Sequence, residues 1–198
     1  MEIIIHRVNT IKELKKVDQK FGAEIDVRAW RSDLILTHEP FQEGEKLENY
    51  LDEYHHGTLV LNIKEAGIEN EVLRIVRQRP CVESYFLLDV EFPYLYQASR
   101  NGERNIAVRF SEDESIKTVE KYVGMVNWVW IDTNTCLPIS DDNKDVLDHF
   151  KTCLVCPERW GRPQEISYYI EMINLLKVRI DSVMTSYKQS ANWCNENN

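Results

Sequence analysis

The sequence predicts an α/β protein, a compact single-domain (β/α)8 TIM barrel with short loops, and three observations carry that prediction. First, eight short apolar segments recur along the 198 residues, with helix-like segments between them. Strand-then-helix alternation is the pattern of a parallel sheet. Second, the length suits one well-buried domain, and no Pro/Gly/Ser-rich linker or low-complexity tract divides it. Third, the turn after the first strand, His6-Arg7-Val8-Asn9-Thr10, contains no glycine. A doubly wound sheet, the alternative, wants a Gly-rich phosphate loop there. Barrels of this type usually take ~250 residues, so loops and helices here must be short. The barrel domain is expected over residues 1–187, with residues 188–198 a polar tail that is either frayed or a weak cover over the barrel mouth.

The elements follow in order. Glu2-Ile3-Ile4-Ile5 is a β-branched run that turns polar at His6-Arg7, giving a strand over residues 2–6. A helix over 10–21 follows an Asn9-Thr10 cap. Ala23-Glu24-Ile25-Asp26-Val27 alternates, so on a strand over 23–28 Glu24 and Asp26 share one face and Ile25 and Val27 the other. Either that face meets solvent on an edge strand, or the two carboxylates are buried against a cation or hydrogen-bond donors. A helix over 46–54 follows Gly44. The remaining strands are expected at 58–63, 84–89, 105–110, 126–131, 151–156 and 180–185. Helices at 68–78, 92–99, 114–123, 143–150 and 164–176 lie between them.

Composition narrows the function. A net charge of −9 and the lack of a basic tract argue against nucleic-acid binding. Five cysteines, an odd number scattered through apolar segments, fit reduced thiols better than a disulfide framework. Cys153 and Cys156 have redox-pair spacing but fall inside an expected strand, where core packing explains them. The start does not resemble a signal peptide, and no apolar run approaches the ~20 residues that span a bilayer. No amphipathic anchor with clustered lysines argues for stable membrane insertion, so a cytoplasmic protein is expected.

Barrel enzymes keep their chemistry at the C-terminal ends of the strands. Those ends carry His6-Arg7, then Glu24 and Asp26 with Arg28 on the same face, then Asn62-Ile63-Lys64. Asp89, Arg109, Asp132, Glu158 and Thr185-Ser186 end the later strands. Trp128 and Trp130 alternate with Val129 and Ile131, which reads as barrel packing, with Trp130 at the rim as the substrate-facing alternative. His55-His56 before Gly57 reads as an exposed helix end. Ser111 with Glu114 reads as a capping box for the next helix.

In this order and spacing the chain resembles the glycerophosphodiester phosphodiesterases and the related phosphatidylinositol-specific phospholipase C-like phosphodiesterases. His6-Arg7 after strand one, Glu24-Ile25-Asp26 on strand two and His38 soon after carry the resemblance. Asn62-Ile63-Lys64 stands where that family has Glu-x-Lys, and Val183-Met184-Thr185-Ser186-Tyr187 is similar to its last strand. The departures are Val8 for the family's glycine, His38-Glu39 for His-Asp, Asn62 for an acidic metal ligand, and no covering insertion after His38.

The resemblance implies a metal-assisted phosphodiesterase acting on a polyol, glycerol-like phosphodiester, with a cyclic phosphate formed first. His6 and His38 are then the acid–base pair, either able to take either role near neutral pH. Arg7, Lys64 and Arg109 are expected on the phosphate oxygens, with Asp89 and Trp130 as further substrate contacts. Glu24, Asp26 and the Asn62 carbonyl are expected to hold a hard divalent cation, Mg²⁺ or Ca²⁺, weakly because Asn62 adds no charge. Two other readings stand beside this one. One is a degenerate barrel that binds a phosphorylated ligand or a protein partner. The other is an aldolase or isomerase using Lys64, which leaves the two histidines unexplained.

Overall fold

The computed structural model describes residues 1–194, which form two compact units. One comprises residues 4–95, and the other residues 1–3 with the chain from Tyr96 onward. Both are α/β, with parallel strands alternating with short helices.

In the 4–95 unit, β1 (Glu2–Ile5) leads to α1 (Ile11–Leu14) and then to β2 (Gly22–Trp30). After β3 (Asp33–Leu36), β4 (Glu45–Lys46) and α2 (Leu47–Asp52) come β5 (Leu59–Ile63), α3 (Glu69–Arg77), β6 (Tyr85–Leu88) and α4 (Phe92–Arg100). β2 lies parallel to β1 and to β5, with Ala23 opposite Leu59 through Val27 opposite Ile63, and β5 is parallel to β6. Strand β2 is therefore an interior strand, and Gly22–Val27 is buried throughout. That removes the solvent-edge reading of Glu24 and Asp26.

The hairpin β2–β3 was not among the expected elements. Trp30 pairs with Asp33 across Arg31-Ser32, with Arg31 at φ 59°. A two-residue hairpin normally announces itself with Asn-Gly or a similar pair at that left-handed position. Arg-Ser does not, so the turn is imposed by the pairing of Ile35 and Leu36 back onto β2. Helix α1 is also much shorter than expected. Thr10 is its N-cap, with its hydroxyl accepting the Glu13 N–H at 3.1 Å, whereas the Asn9 side chain is used elsewhere.

Gly22 sits close against the chain that leads into β5. A Cβ there would lie 2.2 Å from the Thr58 carbonyl oxygen, a backbone atom with nowhere to go. Gly22→Ala is expected to part the two strands and cost ~1–3 kcal/mol. Urea unfolding of the variant beside wild type measures it, and an unchanged midpoint would mean that the strands are free to separate.

The second unit runs β7 (Ala107–Phe110), α5 (Ile116–Glu120), β8 (Trp128–Ile131), α6 (Lys144–Leu147), β9 (Lys151–Val155), α7 (Ile166–Leu176), β10 (Ser182–Thr185) and α8 (Ser190–Cys194). Its four strands pair in parallel in chain order, β7 to β8 to β9 to β10. All eight expected strands are thus present, within two residues of their expected bounds.

Two local expectations change. The N-cap of α5 is Ser115, whose hydroxyl accepts the Lys117 N–H at 3.2 Å. Ser111 instead closes the preceding turn through the Asp113 and Glu114 amides, and the Glu114 carboxylate pairs with Arg109. The tail is not merely polar and frayed: Ser190–Cys194 is helical and Trp193 is buried, its indole N–H reaching Cys156 Sγ at 3.1 Å. The last four residues of the expected tail lie outside the described residues. Cys153 and Cys156 are both buried, and burial pushes each thiol up to about 12, which holds them as protonated packing groups. Among the described residues no helix is long and apolar enough to cross a membrane.

Candidate active site

Strand periodicity puts the side chains of Glu24, Asp26 and Arg28 on one face of β2. The parallel register sets Asn62 of β5 directly beside Asp26, and Lys64 follows two residues later on the same face. Around these residues the chain builds a continuous polar network within the 4–95 unit.

Glu24 and Asp26 are each 1% exposed. Glu24 Oε1 accepts the Asn62 side-chain N–H at 2.8 Å, and Glu24 Oε2 accepts the Arg7 backbone N–H at 2.8 Å. His6 Nε2 stands 3.8 Å from Glu24 Oε2. Asp26 Oδ2 accepts from Asn9 Nδ2 at 2.8 Å, while the Asp26 N–H donates to Asn9 Oδ1 at 2.8 Å, so the two residues clamp each other. Lys64 Nζ lies 3.2 Å from Asp26 Oδ1, an ion pair whose geometry falls short of a hydrogen bond, and 3.8 Å from Asp89 Oδ2. Arg7 Nε is 4.0 Å from Asp26 Oδ2.

The loop after β1 reaches this position through a left-handed residue. Arg7 has φ 54°, unusual for a side chain with a Cβ, and the kink lets the successive amides of Arg7 and Val8 bond the side chain and the carbonyl of Glu24. The left-handed position is thus Arg7, while Val8 after it is buried. Asp89 at the end of β6 is also left-handed, at φ 57°.

His38 joins the network through its backbone. Its carbonyl accepts from Arg28 Nε and Nη2 at 3.2 and 3.0 Å, and the preceding Thr37 N–H donates to the Asp26 carbonyl. Its ring Nδ1 lies 2.6 Å from Glu39 Oε1, so the acidic residue that follows it orients the imidazole. Arg109 and Trp130 belong to the other unit. There Arg109 pairs with Glu114 and Asp132, and Trp130 is buried with its indole N–H on Asp132 at 3.2 Å.

Two residues of this site lack any role in the sequence reading. Asn9 is legible only as a helix cap, and Arg28 only as the next residue on the carboxylate face of β2. The alternation of β2 was the available signal for Arg28. For Asn9 there was none.

The electrostatics of the buried pair are lopsided. Burial first, and then repulsion from Asp26, push the Glu24 carboxyl up to about 7, against the Asn62 and Arg7 hydrogen bonds and the Lys64 charge that pull it down. A carboxyl that binds its proton more tightly when folded loses stability as pH rises. Below its ordinary value near 4.5 it is protonated in both states; between there and about 7 the unfolded chain gives up the proton first. In EDTA, stability is therefore expected to fall by ~3 kcal/mol from pH 4.5 to 7 through this group and to level off above. Glu24→Gln should flatten that slope. Urea midpoints at pH 5, 6, 7 and 8 measure it, and an equal slope in the variant would rule the carboxyl out as the source.

The donor set fits a hard cation in kind. It has two carboxylates and an amide oxygen, and Asn62 Oδ1 is a buried acceptor with no hydrogen bond. Among the described residues no three His, Cys, Asp or Glu side chains converge as a group that could hold a metal ion.

No protein-family model matches the chain, and no curated protein sequence matches it. Solved structures do. One, from Agrobacterium tumefaciens and provisionally named a glycerophosphoryl diester phosphodiesterase, superposes with a TM-score of 0.69 at 10% identity. The match covers 99% of this chain and 98% of that one. A second, a glycerophosphodiester phosphodiesterase from the same organism, gives a TM-score of 0.67 at 14% identity over 96% of this chain and 99% of that one. The chain therefore has, from end to end, the fold of these glycerophosphodiester phosphodiesterase structures.

Proposed function

We propose that this protein is a phosphoric diester hydrolase acting on a small, anionic, glycerol-like phosphodiester, on a single-domain closed (β/α)8 barrel. The observation that carries the reading is the network that joins the buried Glu24 and Asp26 of β2 to His6, Asn62 and Lys64 at the C-terminal ends of β1 and β5. It lies in a chain whose fold is that of two named phosphodiesterase structures.

In this reading a substrate hydroxyl next to the phosphate gives its proton to one histidine as its oxygen attacks phosphorus. The other histidine protonates the departing alcohol oxygen, and the product is a cyclic phosphate. Water then opens the ring with the two proton roles exchanged. Arg7, Lys64 and Arg109 are assigned to the phosphoryl oxygens in this reading, and Asp89 and Trp130 to further substrate contacts. Glu24, Asp26 and the Asn62 carbonyl would hold Mg²⁺ or Ca²⁺, which supplies positive charge beside a phosphoryl oxygen when bound. Arg7 and Lys64 provide local positive charge that a chain of net charge −9 otherwise lacks for an anionic substrate. That net charge supports a small-molecule substrate and not a nucleic acid. All five cysteines are free thiols, which supports a cytoplasmic location.

A second reading, a barrel that binds a phosphorylated ligand without turning it over, draws on the saturation of the carboxylates. Three of their four oxygens already accept a hydrogen bond and the fourth faces Lys64. One assay separates the two. Glycerophosphodiesters and an aryl phosphodiester are incubated with the protein in EDTA, Mg²⁺ or Ca²⁺. Cation-dependent release of alcohol is expected. A folded protein that binds glycerol phosphate but releases nothing in any condition is the non-catalytic barrel.

A further inference from the structure

Arg28 ends the polar face of β2 and commits its whole guanidinium to the backbone of two other loops. Nε and Nη2 donate to the His38 carbonyl at 3.2 and 3.0 Å, and Nη1 donates to the Lys64 carbonyl at 3.2 Å. The amide side of the same loops is tied to the same strand: Thr37 N–H bonds the Asp26 carbonyl and Lys64 N–H the Val27 carbonyl. Glu65 completes the brace, accepting the Ala29 N–H at 2.6 Å and standing 3.9 Å from Arg28 Nη1. The Arg28 side chain is 17% exposed, so these bonds are largely shielded from water.

We propose that Arg28 is a positioning residue, which sets the aim of His38 and Lys64 against the β2 carboxylates by bracing both of their carbonyls from one side chain. The proposal rests on the phosphodiesterase reading above for its effect on rate. Its physical basis is the shape of the group. A planar guanidinium offers donors in fixed, divergent directions and spans two loops, whereas an ammonium is a point charge on a flexible stem and cannot hold both. Proton transfer and phosphate binding depend on placement to a fraction of an ångström, so slack in either loop reaches the chemistry without touching substrate.

The test is Arg28→Lys in the full chain, read in two independent ways. Amide hydrogen exchange followed by mass spectrometry is expected to quicken about tenfold in residues 37–40 and 63–66, and not in β1 or β6. Phosphodiester turnover is expected to fall ~10²-fold in kcat, with KM moved much less and the melting temperature nearly that of wild type. Unchanged exchange in both segments would overturn the proposal, as would loosened loops with full kcat. Inactive wild type with loosened loops in the variant would fell the phosphodiesterase reading and leave the brace standing. If Arg28→Lys does not fold, Arg28→Gln, whose amide can still reach one carbonyl, replaces it. Failure of both to fold would also overturn the proposal, since the guanidinium would then be holding the unit together.

Discussion

His6→Ala is expected to lower kcat for phosphodiester cleavage by ~10²–10⁴-fold while leaving the protein folded, and His38→Ala to do the same. His6 stands 3.8 Å from a Glu24 oxygen and His38 is held 2.6 Å from Glu39, so each imidazole has an acidic neighbour beside it that bears on its orientation. In the proposed mechanism, removing one partner of the pair would leave a step with no proton donor or no acceptor, and Arg7 and Lys64 alone would then supply the residual rate. A leaving group that needs no proton distinguishes the two histidines. With an aryl phosphodiester, loss of the acid should cost much less than with a glycerol ester, whereas loss of the base should cost the same with both. Full activity in either variant with both substrates would remove that histidine from the mechanism.

Lys64→Met is expected to be the most destabilising single change in the site, by ~3 kcal/mol at pH 7 in EDTA. Asp26 is 1% exposed and keeps its two bonds to Asn9 and the Arg7 Nε 4.0 Å from its Oδ2, but the variant takes away the nearer positive charge, 3.2 Å from its Oδ1. An uncompensated buried carboxylate is costly, whereas removing both members of such a pair often is not. The double variant Lys64→Met with Asp26→Asn should therefore recover most of the loss. If Asp26 holds a divalent cation as proposed, the Lys64 ammonium would compete with it for the same carboxylate, and Lys64→Met should bind Ca²⁺ or Mg²⁺ more tightly than wild type, read by calorimetry or by a shift in the urea midpoint. A single variant as stable as wild type would show that Asp26 does not depend on Lys64 for its charge.

Much of the candidate site was legible before any coordinates. Alternation along β2 put Glu24 and Asp26 on one face, and the apolar runs located every parallel strand and hence the strand ends where His6, Asn62, Lys64 and Asp89 emerge. These are consequences of local geometry: a strand repeats every two residues, and its apolar face must be buried. Several details lay outside that reach. Ser115 displaced Ser111 as a helix cap, and Arg31-Ser32 turned a hairpin without a turn signature. Whether Glu24 and Asp26 met solvent or protein was open, since alternation reads the same on an edge strand and on an interior one.

Only the three-dimensional pairing decided that β2 is interior, that both carboxylates are buried, and which donors answer them. Asn9 reaches Asp26 from 17 residues away, Asn62 reaches Glu24 from 38, and Arg28 braces the Lys64 loop across 36. No periodicity spans such distances, because the register between strands is set by packing of the whole unit. The residue types that perform the proposed chemistry are written in local pattern; the partners that tune and aim them exist only once the strands lie side by side.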